Sequence, residues 1–467
     1  MNKRIASIDV LRGITIFLMV LSASFVWNAN LPAFMFHCQV APPDFVFNPD
    51  VKGITWVDLV FPWFIFTMGA AMPFSLGRKL AKGASLGKVS LGLLKRWITL
   101  AAFALVLGNA GLIAGQAAVP QVATRIAIWL GLFVTLVRVK DSPKIKGWVI
   151  NLLGFVMLAV MLIVEKAAFG VDFSFRNNDV IIMILSSLAL LGGFIWLLTR
   201  KSMLLRFLLL LAVCTLKEVD WQWHCLGVLD VPDAVKWLFN WDYAQYLVIT
   251  LVGMSVGDLL MKASDESAAL CQDVRDWKTV VAAVICAALT PAMLWAFYTR
   301  HIWAALDITA VSAIVFLFLT RGDRTVWITV ARMGFGLLAL GAVFDPVDGG
   351  ITKDFCNLSY MLTTAGLACL MTAFLLWAET LAQLRGKPLC KCLSETGQNP
   401  MIAYTISGFI ILPLINLLLG VIPGGNDWLY TLTAGRPLVG FLYGVLLTCL
   451  MMAGTNFFTR RKLFWRS

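Results

Sequence analysis

Long apolar blocks recur along the whole chain and constrain its fold more than any other feature. Most are close to 20 residues long and are separated by short polar stretches, and a helix of about 20 residues crosses about 30 Å of hydrocarbon. A β-barrel would instead show segments of about 10 residues that alternate between apolar and polar side chains. The pattern therefore predicts an all-α, polytopic helical membrane protein with about fourteen transmembrane helices, one of them over residues 204–219.

Composition and charge support this class. The chain is 60% hydrophobic and 14% charged, against roughly 45–50% and about 25% in soluble domains, so soluble and disordered proteins are excluded. Lys and Arg concentrate in alternate loops, which predicts that both termini are cytoplasmic. Attraction to anionic membrane lipids then accounts for the net charge of +12, and no nucleic acid is expected as a partner.

The whole chain, 1–467, is interpreted as a single transmembrane domain. Helical hairpins over 179–219 and 303–344 are expected to be insertions into a core of about ten helices. Ten cysteines are scattered without the spacing of a disulfide framework or a metal site, so no metal is expected.

Charged residues inside the apolar blocks are candidates for function because a charge is costly within a bilayer. Asp9 and Arg12 lie three residues apart at the start of the first block. They could neutralise each other on one helical face or contact a cytoplasmic ligand. Asp58 and Arg125 lie within the second and fourth blocks.

Histidine is the side chain best suited to proton transfer near neutral pH. The predicted topology places all three histidines, His37, His224 and His301, on the outer side. His37 precedes a block over 53–66 in which Asp58 and Pro62 interrupt an apolar helix. This pattern predicts that His37 is catalytic and that Asp58 orients its ring, although a kinked packing helix would produce the same pattern.

Four stretches resemble the heparan-alpha-glucosaminide N-acetyltransferase family of transmembrane acyltransferases. They are Ser7-Ile8-Asp9-Val10-Leu11-Arg12-Gly13, the block from Gly53 to Phe64, Asn357-Leu358-Ser359-Tyr360, and Arg460-Arg461-Lys462-Leu463-Phe464-Trp465. Shorter matches are Thr124-Arg125-Ile126 and Gly397-Gln398-Asn399. The resemblance implies an enzyme that uses cytoplasmic acetyl-CoA as co-substrate to acetylate a sugar on the opposite side of the membrane.

The resemblance also implies a set of site residues. The family's histidine stands about five residues before the glycine that corresponds to Gly53, where this chain has Asn48. His37 takes that role only if residues 38–48 are an insertion. Acyl-donor or acceptor binding is assigned to Asp9, Arg12, Arg125, Asn399, Lys353 and Ser359. Basic inner loops that contain Arg78, Lys79 and Lys82, or Lys95 and Arg96, are candidates for holding the nucleotide phosphates.

The expected activity is therefore the acetylation of an extracytoplasmic sugar or glycan, at a hydroxyl or an amine, by a multi-pass protein of the cell inner membrane. His37 could act as a general base or as a nucleophile that carries the acetyl group. A homodimer remains open. The alternative is a secondary transporter or lipid-linked glycan flippase, a class in which intramembrane charges line a substrate path.

Overall fold

The computed structural model describes residues 5–25, 31–110, 118–137, 147–223, 233–266, 270–354 and 356–465. Helices α1 to α10 are Ala6–Ala23, Trp56–Ala81, Leu86–Ala110, Ala118–Leu136, Gly147–Phe169, Val180–Thr199, Met203–Trp223, Asp233–Lys236, Trp241–Ala244 and Leu247–Asp265. Helices α11 to α19 are Trp277–Tyr298, Ile302–Leu319, Val326–Val347, Leu358–Leu384, Lys391–Gly397, Pro400–Ile406, Leu412–Gly420, Gly425–Gly435 and Pro437–Arg460. A π-helical segment, Ser407–Ile411, joins α16 to α17.

The predicted all-α polytopic fold is confirmed. Thirteen helices in the described residues are long and apolar enough to cross a membrane, one fewer than the fourteen expected. The missing member is the predicted span 204–219, which forms α7 but carries four charged residues, Arg206, Lys217, Glu218 and Asp220.

Helix α7 nevertheless spans the bundle. Its neighbours α6 and α10 run in the same direction. Gly192 of α6 lies against Thr250 of α10, and Trp196, one turn further along α6, donates a hydrogen bond to Asp258, further along α10. The chain must therefore return between them. Arg206 near the start of α7 pairs with Asp258, whereas Lys217 lies near Cys356 at the opposite face. Its 21 residues rise about 31 Å.

Glycines bring α2 and α10 into backbone contact. A Cβ atom on Gly69 would overlap the carbonyl oxygen of Thr250, and one on Gly253 or Gly257 would overlap the carbonyl of Phe66 or Ala70. Small residues spaced four apart allow this close approach of transmembrane helices. The two helices are thus fixed in register.

Both described ends of the chain lie at one face of the bundle, called the inner face below. Glu379 at the end of α14 accepts hydrogen bonds from the backbone N–H groups of Ala6 and Ser7, at 3.0 and 2.8 Å. Gly397 of α15 packs against the backbone of Asp9, and Asn399 holds Leu463 of the C-terminal segment. The concentration of Lys and Arg at this face predicts that it is cytoplasmic.

The predicted insertion 179–219 is not peripheral. Helix α6 packs against α3 and α10, and its residues Ile181, Ile182 and Leu185 line the main cavity. In the second predicted hairpin, 303–344, α13 lies against α14 through Gly334 and Gly341, while α12 keeps most of its surface exposed.

Candidate active site

The start of α2 carries the carboxylate on which the outer site is built. Thr55 precedes the helix, and Asp58 is its third residue. The Oδ2 atom of Asp58 accepts a hydrogen bond from the backbone N–H of Thr55 at 2.9 Å, which is one half of a capping box. It also accepts from the backbone N–H of Cys38 at 3.4 Å. A helix-capping contact therefore fixes the orientation of this fully buried carboxylate.

His37 and Asp58 are brought together as the sequence predicts. The Nδ1 atom of His37 lies 2.7 Å from Oδ1 of Asp58. A carboxylate oxygen is an acceptor, so we assign the imidazole proton to Nδ1. The Nε2 atom then keeps a lone pair. Because the imidazole is 30% exposed while the carboxylate is fully buried, the ring is the part of the pair that a substrate can reach.

Lys353 completes this group from a distant part of the chain. Its Nζ atom lies 3.1 Å from Nδ1 of His37 and 4.0 Å from Oδ1 of Asp58. Two contacts hold its loop in place: Gln39 donates to Thr352 Oγ1 at 3.3 Å, and the N–H of Gly53 donates to the carbonyl of Ile351 at 2.8 Å. The site therefore combines an imidazole, a carboxylate and an ammonium group.

Residues 38–48 form a loop that closes on itself beside His37. The backbone N–H of Asn48 donates to the carbonyl of Gln39 at 2.9 Å, so the two ends of the segment meet. Asn48 itself is exposed. This geometry lets the extra residues project outwards while His37 stays next to Asp58.

The entry to α14 supports the site from behind. Tyr360 is fully buried, and its hydroxyl donates to the backbone carbonyl of Asp58 at 2.7 Å. The hydroxyl of Ser359, expected to bind donor or acceptor, instead donates to the carbonyl of Gly341 at 2.7 Å. Ser359 thus fastens α14 to α13, and Tyr360 is the residue of this motif that contacts the site.

Cys38, the residue directly after His37, does not offer a second nucleophile. Burial, and after it the charge of Asp58, raise the pKa of the Cys38 thiol to about 12. A thiol with such a pKa is almost wholly protonated near neutral pH and is a poor nucleophile. His301 lies before α12 beside Trp295, and His224 lies outside the described residues.

A cavity of about 730 Å³ runs through the bundle between α1, α2, α3, α6 and α16. Its lining on α2 extends from Val60 to Lys79, a rise of about 28 Å along the helix. That distance is close to the thickness of the hydrocarbon layer. The outer end of this main cavity, at Val60 and Phe61, lies within one helical turn of Asp58.

The inner end of the main cavity is basic. Lys79, Lys95 and Arg96 line it together with Trp465 of the C-terminal segment. The Nε atom of Arg96 and the Nε1 atom of Trp465 are buried N–H donors with no hydrogen-bond partner among the described residues. Buried donors without partners are rare in native proteins, so this end of the cavity has unused capacity to bind an anionic, hydrogen-bonding ligand.

Arg12 lines the main cavity about halfway along it rather than at the outer site, and Asp9 is its neighbour on α1 outside the cavity lining. Their side chains are 3.8 Å apart. Arg12 also donates to the carbonyls of Thr67 at 3.0 Å and Gly397 at 3.4 Å, and it lines the cavity. The predicted pair therefore forms, and its cation contacts the path through the bundle.

Arg125 and Asn399 are not part of the group around His37, and their side chains form hydrogen bonds with backbone groups elsewhere. Arg125 donates to the carbonyl of Gly408 in the π-helical segment at 3.3 Å. Asn399 donates to the carbonyl of Leu463 at 2.8 Å and accepts from the N–H of Trp465 at 3.3 Å. Asn399 therefore positions Trp465 at the cavity entrance.

No motif in the sequence singles out Tyr404, whose hydroxyl donates to Asp179 at 2.7 Å. Asp179 also accepts from the N–H of Ile182 at the start of α6. A polar residue directly before an apolar run is a helix-capping signal, and the sequence offers no further signal at Asp179. Its contact with Tyr404 depends on packing across 225 residues.

Comparison with known proteins gives a family without an assigned activity. The model of a domain of unknown function (DUF5009) matches residues 4–260, more than half of the chain. This stretch contains His37, Asp58 and the lining of the main cavity on α2, α3 and α6, but not Lys353. No curated protein matches.

Proposed function

Since the chain belongs to the DUF5009 family, which is described as a domain of unknown function, we propose its activity from the site itself. The protein is a transmembrane acyltransferase. It takes the acyl group of a cytoplasmic coenzyme A thioester, with acetyl-CoA as the simplest donor, and transfers it to a sugar or glycan on the outer side of the cell inner membrane.

One observation carries the proposal: the main cavity extends about 28 Å along α2, from basic residues at Lys79 to within one turn of Asp58. The donor's nucleotide phosphates bind at Lys79, Lys95 and Arg96, because cations form strong charge-assisted hydrogen bonds with phosphate. The uncharged, extended arm of the donor then occupies the cavity. Its thioester reaches the outer end, next to His37.

His37 performs the chemistry with its Nε2 atom. As general base, Nε2 removes the proton of the acceptor hydroxyl or amine, the acceptor attacks the thioester carbon, and the carbon–sulfur bond breaks. The leaving thiolate then takes the proton from the imidazolium. As nucleophile, Nε2 attacks the thioester carbon to form an acyl-imidazolium and expels the thiolate. The acceptor then attacks the acyl carbon, the carbon–nitrogen bond to Nε2 breaks, and the acceptor's proton passes to the thiolate.

Asp58 and Lys353 assist in different ways. Asp58 holds the Nδ1 proton and stabilises the positive charge that develops on the ring, as carboxylates do in catalytic triads. Lys353 provides a fixed positive charge beside the ring, which favours the negative charge that develops on the thioester oxygen during attack. Its charge would also attract an acidic acceptor.

The test uses the purified protein in detergent with acetyl-CoA as donor. Methyl glucoside and glucosamine serve as hydroxyl and amine acceptors, and release of the coenzyme A thiol is measured. We expect His37→Ala to bind acetyl-CoA with unchanged affinity but to release thiol at least about 100-fold more slowly. The matched control, His301→Ala, removes another outer imidazole and retains the wild-type rate.

Mass spectrometry after incubation with acetyl-CoA distinguishes the two routes, since one added acetyl group on His37 indicates the nucleophile. A folded, monodisperse protein that binds no acetyl-CoA would contradict the proposal and favour the transporter alternative. Undiminished transfer by His37→Ala would contradict only the role of His37 and would leave the acyltransferase proposal standing.

A further inference from the structure

A second cavity of about 310 Å³ adjoins the main cavity in the outer half of the bundle. This side cavity and the main cavity share two lining residues, Met19 and Tyr404. The remaining wall is formed by the outer turns of α1 and α3 and by the π-helical segment. Its residues include Val20, Leu107, Gly408, Phe409 and Leu412.

Met19, one of the two residues that line both cavities, lies at the depth of the proposed transfer site. Met19 lies four residues before the outer end of α1, and Val60 lies four residues after the outer start of α2. Both are therefore about 6 Å from the outer ends of their helices, and α1 packs directly on α2 through Arg12 and Thr67. A thioester at the outer end of the main cavity is therefore level with Met19, where the two cavities adjoin.

The polar groups of the side cavity are largely satisfied by the protein. The hydroxyl of Ser24 donates to the carbonyl of Val20 at 2.6 Å, and that of Thr405 donates to the carbonyl of Met401 at 3.0 Å. Tyr404 and Asp179 bond to each other. The carboxylate of Asp179 disfavours an anion here, and a sugar would lose hydrogen bonds to water without replacement. The chemistry of the wall favours an aliphatic occupant.

We propose that the side cavity binds the acyl chain of the donor, so that the protein prefers coenzyme A thioesters with medium-length acyl groups over acetyl-CoA. The inference rests on the proposed function and specifies its donor. A methylene group takes roughly the volume of a water molecule, about 30 Å³, so a cavity of about 310 Å³ has room for a chain of several methylenes. Each buried methylene strengthens binding by about fourfold.

The π-helical segment provides a way to fill the cavity. A Cβ atom on Gly408 would have no heavy atom within 4 Å, so Gly408→Leu projects into the space without a clash at Cβ. Ala23→Leu fills the same cavity from α1. The matched control is Gly336→Leu on α13, because Gly336 is exposed and a Cβ there also meets nothing within 4 Å.

The experiment measures the affinity of the purified protein for acetyl-CoA, hexanoyl-CoA and octanoyl-CoA by competition with labelled acetyl-CoA. We expect the wild type and Gly336→Leu to bind hexanoyl-CoA at least about tenfold more tightly than acetyl-CoA. Gly408→Leu and Ala23→Leu should bind acetyl-CoA as the wild type does but lose the preference for longer chains.

Two results would overturn the inference while leaving the proposed function intact: acetyl-CoA binds but the wild type shows no preference for longer chains, or the preference survives in both filled variants. If no coenzyme A thioester binds to the folded wild type, the proposed function fails first and the inference fails with it.

Discussion

The two ends of the main cavity differ in how their polar groups are held. At the outer end, His37, Asp58 and Lys353 contact one another, and Asp58 accepts two further backbone hydrogen bonds. At the inner end, Arg96 and Trp465 each keep a buried N–H without a partner among the described residues. The outer end is therefore preorganised, as the proposed catalysis would require, whereas the inner end keeps two N–H groups that the proposed acyl donor could use.

The largest effect is expected from a substitution that disrupts the contacts among His37, Asp58 and Lys353. Asp58→Asn keeps the side-chain shape but removes the charge that holds the Nδ1 proton of His37. We expect the transfer rate to fall by a factor on the order of 10³ to 10⁴, as when a triad carboxylate is replaced, with donor affinity unchanged.

Thiol release and acetyl-CoA titration measure the two quantities for Asp58→Asn. Asp307→Asn, an exposed carboxyl on α12, is the control and should match the wild type. A loss of donor affinity equal to the loss of rate would show that Asp58 serves binding rather than chemistry.

A smaller effect is expected at the inner end. Arg96→Gln removes a cation that would contact a donor phosphate, and hydrogen bonds to charged groups contribute about 1.5–3 kcal/mol. We therefore expect donor affinity to fall by about 10- to 100-fold, with the rate at saturating donor unchanged. Lys88→Gln, on the same helix but exposed, should change neither quantity. A reduced saturating rate in Arg96→Gln would remove the proposed distinction between the two ends.

The smallest effect concerns stability near the outer site. Burial and, to a lesser extent, the charge of Glu218 raise the pKa of Asp348 to about 7, although the hydrogen bond from the backbone N–H of Ser359 lowers it. Because the folded protein binds this proton more tightly than the unfolded chain, the stability that the proton provides is complete below about pH 4 and is lost as the pH rises through 7.

Asp348→Asn should therefore be more heat-stable than the wild type at pH 8 by a few degrees and close to it at pH 4. Thermal unfolding at both pH values measures the difference. Asp172→Asn, at an exposed carboxyl, should show no such change with pH. Equal melting temperatures of wild type and Asp348→Asn at pH 8 would exclude an ionised, buried Asp348 as a source of instability.

The sequence predicted the parts of the molecule that depend on local chemistry. Apolar length predicted the spanning helices, and the interruption of an apolar block by Asp58 and Pro62 close to His37 predicted the outer pair. It could not predict that Lys353 contacts His37 across 316 residues, because that contact depends on how two outer loops pack. Ser359 and Asn399 carried the right chemistry for binding, but packing directs their polar atoms to Gly341 and to the C-terminal segment.

The glycine contacts between α2 and α10 bear on how substrate crosses the membrane. Transporters expose their sites alternately by rocking one bundle against another, which needs helices that can slide. Here the backbones of Gly69, Gly253 and Gly257 contact the backbone of the facing helix directly, with no side chain between them. Any slip along this seam would drive carbonyl oxygens into Cα atoms. We therefore expect that α2 and α10 keep their relative positions while the acyl donor moves through the main cavity.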